Sequence, residues 1–141
     1  MSELGDATRR AQAQNDPNLL LEAIPYARLL GMQAQSVSLF HLPPSKSNIG
    51  NPTLPALHGG AVGGFMEMAA IAHTMMIMDV LRVPKVIGFS ISYIRPGRFM
   101  DTYARCEVER FGRKMVNVSI QAWQEDEKIH IAKASVQFLL D

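Results

Sequence analysis

Glu67 interrupts a long apolar run, Leu57 to Val80, nine residues after the histidine of a His58-Gly59-Gly60 triplet. No Lys or Arg lies within one helical turn of it on either side. A carboxylate held among apolar groups without a cation is costly to ionise, so its pKa rises toward the range of a general base or nucleophile. The glycine pair supplies a complementary function. At the start of a helix it bares backbone N–H groups at the positive end of the dipole, a site for an anion or a developing oxyanion. An electrophile activator together with a base or nucleophile is what acyl transfer requires. A second role stays open for Glu67: a structural acid that reaches solvent at the helix edge or meets an arginine such as Arg95.

At about 100° per residue, Gly60, Gly63, Gly64, Glu67, Ile71 and Thr74 share one side of the helix. Glycine in a helix costs about 1 kcal/mol relative to alanine, so three in five positions imply close approach of a ligand or another backbone. His58 could orient a ligand or the preceding loop, or simply hydrogen-bond neighbouring backbone. His73 falls on the opposite side and reads as a core histidine; His41 and His130 sit in strands with no partner pattern. No His-x-x-x-His or similar spacing is present, so no metal is expected. The absence of a Gly-x-Ser-x-Gly elbow leaves serine catalysis unsupported. The methionines that cluster on the helix fit adaptable packing better than ligation.

The elements that must hold this helix follow from periodicity. Residues 1–15 are polar and expected to be loose, and 16–141 to form one domain. Asp16-Pro17 opens a helix that Pro25 interrupts and Gly31 ends; a strand follows over Gln33–His41. Leu42–Ala56 holds four prolines and reads as a long loop of the kind that tends to be functional. The apolar helix is expected from His58-Gly59-Gly60 to about Leu81. Beyond Pro84 the period becomes two: Lys85–Ile94, then Met100–Arg110 with Thr102, Ala104, Cys106 and Val108 on one face. Val116, Val118, Ile120 and Ala122 continue that face, and Ala132, Ala134, Val136, Phe138 and Leu140 complete it. Four successive strands with short turns predict an antiparallel meander with one buried side. A helix apolar nearly all round must be enclosed, so an α+β fold with a curved sheet around it is expected.

Composition narrows the function classes. With 48% hydrophobic and 19% charged residues the chain can bury a core, and a net charge of +1 with no basic cluster argues against nucleic acid. Glu67, His73 and Asp79 break the apolar run below the ~18 uncharged residues that a spanning helix needs, so no membrane is expected. The single cysteine, Cys106, excludes an internal disulfide, and the sequence opens without a charged-then-apolar leader. A cytoplasmic protein is the expectation.

Asn51, the His58-Gly59-Gly60-Ala61-Val62 stretch and Glu67 together resemble the signature of the hotdog-fold acyl-CoA thioesterases, in particular the phenylacetate-degradation and 4-hydroxybenzoyl-CoA types. Ile91-Ser92-Tyr93-Ile94-Arg95-Pro96 and Glu109-Arg110-Phe111-Gly112-Arg113 extend the similarity, which runs from about Leu29 to Leu140. The resemblance implies a hotdog fold, an antiparallel sheet wrapped around a long central helix. It also implies a homodimer, or a dimer of such dimers, with its sheets joined edge to edge and two sites at the subunit interface. The implied substrate is an acyl-CoA, with no cofactor beyond the coenzyme A that the substrate carries. In these roles the Gly59 N–H polarises the thioester carbonyl and Glu67 attacks it or activates water. Asn51 and His58 position the acyl group or the water. Gly60, Gly63, Gly64 and Ile71 line the substrate, and Arg95, Arg98, Arg110 and Arg113 are candidates to meet the CoA nucleotide or to be solvated turn residues. Members with Glu can carry a threonine one turn later; here that position is Ile71. Two other readings remain: a non-catalytic acyl-thioester-binding module, and a hotdog dehydratase or hydratase. His58 is too close to Glu67 in sequence to suit the second.

Overall fold

The computed structural model describes residues 2–51 and 56–140, Asn51 by its backbone only. Three short helices lead: α1 (Glu3–Gln14), α2 (Asn18–Leu21) and α3 (Pro25–Leu30). Strands β1 (Gln33–Ala34), β2 (Leu39–Leu42), β3 (Ile49–Asn51) and β4 (Ala56–Leu57) precede the long helix α4 (Gly59–Met76). Four longer strands follow: β5 (Lys85–Tyr93), β6 (Thr102–Phe111), β7 (Met115–Trp123) and β8 (His130–Leu139).

The large sheet is antiparallel, in the order β1-β2-β6-β7-β8-β5, and α4 packs on one face of it against β5 to β8. This is the α+β, hotdog-type arrangement expected. The alternation supplies the reason: Ala104, Val116, Val118, Ile120, Ala122, Ala132, Val136 and Phe138 are fully buried on that face, against Phe65, Met66 and Ala69 of α4. Each large side chain so buried contributes about 1.5–3 kcal/mol.

Four details differ from expectation. Strands β6, β7 and β8 do form a meander, but β5 lies beyond β8 rather than beside β6. The chain therefore crosses the sheet between Ile94 and Asp101, carrying Arg95 and Arg98 past the start of α4. The 33–41 strand is divided, because the Ser36 hydroxyl accepts hydrogen bonds from the Ser38 and Leu39 amides and turns β1 onto β2.

The other two differences share a cause. Residues 3–14 are helical rather than loose, with Ala7, Thr8 and Ala11 fully buried. Ser2 caps α1 by accepting from the Gly5 amide, and Asn15 ends it in a left-handed conformation at φ 53°. Its last turn closes α4 as well. The Gln12 amide donates to the carbonyls of Met75 (3.0 Å) and Met78 (2.9 Å), and Arg9 donates to that of Asp79 (2.9 Å). The Gln12 amide also lies 3.4 Å from the carbonyl of Met76, the last residue of α4, and the bonds to Met78 and Asp79 hold the segment just past the helix. α4 stops at Met76, short of the expected Leu81.

Candidate active site

Burial along α4 isolates one stripe. Every residue from Ala61 to Met76 is buried except Gly64, Glu67 and Ile71, and Gly59 and Gly60 are exposed at the start. Gly60, Gly64, Glu67 and Ile71 repeat at intervals of four, three and four, so they form a single accessible line. Gly63 and Thr74, expected on that side, are buried. Glu67 is the only ionisable group on the line. It has no hydrogen-bond or ion-pair partner among the described residues, and desolvation holds its carboxyl above the ordinary glutamate range.

The α4 N-terminus is built by three neighbours. His58 is the N-cap, and its Nδ1 accepts from the Gly60 amide at 2.9 Å, leaving a proton on Nε2 when the ring is neutral. Its own amide donates to the Asn48 carbonyl at 2.7 Å, and the Leu57 amide donates to that of Gly97. The Ala61 and Val62 amides bond back to the His58 carbonyl. Among the described residues only the Gly59 amide of this first turn has no acceptor. Of the two glycine N–H groups, Gly59 therefore keeps the open donor, while the donor of Gly60 is used by the histidine.

Two tyrosines that the periodicity did not single out flank the stripe. Tyr93 of β5 donates to the Gly59 carbonyl at 2.7 Å. A side chain at Gly59 would meet the Tyr93 ring at 3.4 Å, and one at Gly63 would meet its hydroxyl at 3.3 Å. On the other flank Tyr26 of α3 lies over Gly64 so closely that a Cβ there would overlap its hydroxyl. The glycines thus admit tyrosines of the same chain, and the signal available in sequence was their need for large partners.

The arginines separate. Arg95 lines a cavity of about 360 Å³ with Leu57, Gly59, Val62 and Tyr93, and its Nη1 donates to the His130 carbonyl. A neighbouring cavity of about 390 Å³ contains Arg95 and Arg98 beside Glu125 and Asp126. Arg113 is elsewhere: Arg82, just past the C-terminal end of α4, donates to its carbonyl. Within one chain the structure brings Arg95 and Arg98, but not Arg113, to the Gly59 end. The side chain of Asn51 and residues 52–55 lie outside the described residues. His73 is the core histidine expected, donating from Nδ1 to the Val37 carbonyl at 2.6 Å. No cluster of His, Cys, Asp and Glu suited to a metal ion occurs among the described residues.

One geometric fact constrains the chemistry. Glu67 is eight residues beyond Gly59, so about 12 Å of helix separates them, whereas reacting groups must approach to roughly 3 Å. Both lie on one element, and for the two to meet one carbonyl within a single chain the Glu67 side chain and an intervening water would have to span most of that rise. Edge strand β5, next to the stripe, carries Phe89 and Tyr93 partly exposed and leaves one side of its backbone unpaired by any described strand.

The family model of the thioesterase superfamily matches residues 54–130, which include α4 and the sheet strands β5 to β7. The chain belongs to the thioesterase superfamily. A solved Chromobacterium violaceum protein is 37% identical, with a TM-score of 0.72 over 100% of this chain and 98% of its own. A phenylacetic acid degradation-related protein of Ralstonia eutropha shares the fold at 18% identity and TM-score 0.76, covering 89% of this chain and 100% of its own. A Bacillus halodurans protein solved with CoA shares it at 16% identity and TM-score 0.72, covering 100% and 93%. No match is found among curated proteins. Like its superfamily relatives the chain is a hotdog, and no helix among its described residues is long and apolar enough to cross a membrane.

Proposed function

We propose that this chain is a thioesterase that hydrolyses small aryl- or acyl-CoA thioesters as a homodimer. The observation that carries the reading is the accessible stripe of α4: one desolvated carboxylate on an element whose first amide is open, neither having a partner among the described residues. The distance along α4 supports a site shared between subunits, Glu67 from one and the Gly59 N–H from its partner. Antiparallel pairing of the β5 edges of two copies would set the helices antiparallel and complete both sites.

In the general-base route the carbonyl oxygen accepts from the Gly59 N–H as negative charge develops on it. Glu67 takes a proton from water, whose oxygen bonds to the acyl carbon. The C–S bond then breaks, and the leaving thiolate takes the proton back from Glu67, giving a carboxylic acid and the free thiol. In the nucleophilic route the Glu67 carboxylate bonds to the acyl carbon as the C–S bond breaks and the thiolate leaves; water then opens the mixed anhydride to the carboxylic acid and Glu67, whose proton passes to the thiolate. His58 fixes the helix start, and the CoA nucleotide runs toward Arg95 and Arg98. That the Bacillus halodurans neighbour holds CoA supports a CoA thioester as substrate class. No resident cofactor is invoked.

The test is release of free thiol from a panel of aryl- and alkyl-CoA thioesters by wild type and Glu67→Ala. Turnover that falls about a hundredfold or more in the variant upholds the reading. A wild type inactive on every thioester, or a variant as active as wild type, favours a binding module with a structural Glu67.

A further inference from the structure

Glycine at position 64 leaves a vacancy on the accessible stripe, and the Tyr26 hydroxyl fills it. An ideal Cβ on Gly64 would overlap the hydroxyl oxygen, with the ring carbons Cε2 and Cζ at 2.8 and 3.0 Å. The phenol oxygen of α3 therefore occupies the place where a side chain of α4 would begin. Glu67 is three residues further on. Side chains three apart on a helix have Cβ atoms about 5–6 Å from each other, so the phenol oxygen lies at roughly that distance from the Glu67 Cβ. Helical side chains lean toward the N-terminus, which sends the Glu67 carboxylate toward Gly64 and the phenol.

Among the described residues the hydroxyl has no hydrogen-bond partner, and Tyr26 is 41% exposed. It stands at a cavity of about 370 Å³ whose wall also includes Leu29, Leu30, Asn48, His58 and Gly60. One turn beyond Glu67 the stripe offers only the hydrocarbon of Ile71, and the Thr74 hydroxyl is committed to the Ala70 carbonyl at 2.7 Å. Among the described residues the Tyr26 phenol is thus a polar group on the N-terminal side of the carboxylate with no bond of its own, whereas the Tyr93 hydroxyl beside Gly63 is already donated to the Gly59 carbonyl.

We infer that Tyr26 is a positioning residue for hydrolysis: its hydroxyl holds, against the Glu67 carboxylate, the water that attacks the acyl carbon. The inference rests on the thioesterase reading. It belongs to the general-base route, in which the free Glu67 carboxylate activates that water. Gly64 is then explained by the seat it gives to the phenol.

The test compares kcat and KM of wild type, Tyr26→Phe, Gly64→Ala and the double variant on the best thioester of the panel. Tyr26→Phe keeps the ring and removes an unpaired hydroxyl, so folding is undisturbed. The expected result is a fall in kcat of about tenfold, the worth of one hydrogen bond, with KM within twofold. Gly64→Ala displaces the phenol and lowers kcat similarly, and the double variant is no worse than the worse single one, because both remove the same interaction. Unchanged kcat in Tyr26→Phe overturns the inference. So does a rise in KM at constant kcat, which would make the phenol a contact to the acyl group. A wild type that hydrolyses no thioester ends the underlying reading and this inference together, an outcome distinct from an active enzyme indifferent to Tyr26.

Discussion

The two ends of α4 are finished in opposite ways. At the C-terminal end, Gln12 and Arg9 reach across from α1 and occupy the carbonyls of Met75, Met78 and Asp79. At the N-terminal end, His58 occupies the Gly60 amide, and that of Gly59 has no acceptor among the described residues, beside a cavity that Arg95 and Tyr93 line. A helix end left unpaired costs stability unless something satisfies it. In this account one end is closed for the fold and the other kept open for the substrate. The half-buried stripe through Gly64 and Glu67 continues the open end toward the middle of the helix.

Variants at the open end should remove activity and spare the fold. Gly59→Pro is the sharpest, because proline is accepted at the first helical position and deletes the N–H, while its Cβ would meet the Tyr93 ring at ordinary contact distance, 3.4 Å. His58 at φ −63° and ψ 131° already has the extended conformation that a following proline demands. A fall in kcat of about 10²–10³ is expected, as for loss of one oxyanion donor, with an unchanged circular dichroism spectrum. Retention of kcat would show that the open amide is not the activator.

At the closed end the expectation reverses. Gln12→Ala strips the cap from α4 and should cost about 1–2 kcal/mol in denaturant unfolding while kcat stays at the wild-type level. A loss of kcat without loss of stability would break the contrast between the ends.

The smallest effects are in pH dependence. Because burial raises the Glu67 pKa, the acid limb of kcat/KM should fall above the ordinary glutamate range, activity declining as pH drops through it and the base is protonated. Stability runs the other way. The folded state binds this proton more tightly than the unfolded chain, so the contribution is full below the unfolded value and lost as pH rises through the folded one. Glu67→Gln removes that loss. Thermal melts should show its Tm above that of wild type at neutral pH, with the difference closing in acid.

Much of the open end was legible in sequence, because its signals are local. An acid in an uncharged apolar run and glycines clustered before it need no tertiary knowledge to notice, and alternation in 102–108, 116–122 and 132–140 set the buried sheet face. What escaped depends on partners distant in the chain. The order of α1 rests on Gln12 meeting carbonyls more than sixty residues away, so a polar, alanine-rich segment read as loose. Strand β5 lies beside β8 because the 94–101 segment crosses the sheet, and alternation does not encode neighbours. Tyr26 was invisible for the same reason: the vacancy at Gly64 is local, its occupant is not. The sequence places Gly59 and Glu67 on one helix, and the rise of about 12 Å between them is what makes a site shared between copies the better arrangement.

That rise leads to the central claim, a site shared by two copies, and complementation tests it most directly. Glu67→Gln and Gly59→Pro are each expected to be inactive as homodimers, and thiol release is measured after co-expressing the two. In a mixed dimer one site has both mutated groups and the other has neither, so random pairing should restore roughly a quarter of wild-type activity. If the mixture stays as inactive as its components, Glu67 and Gly59 do not meet across an interface, and the shared site is contradicted.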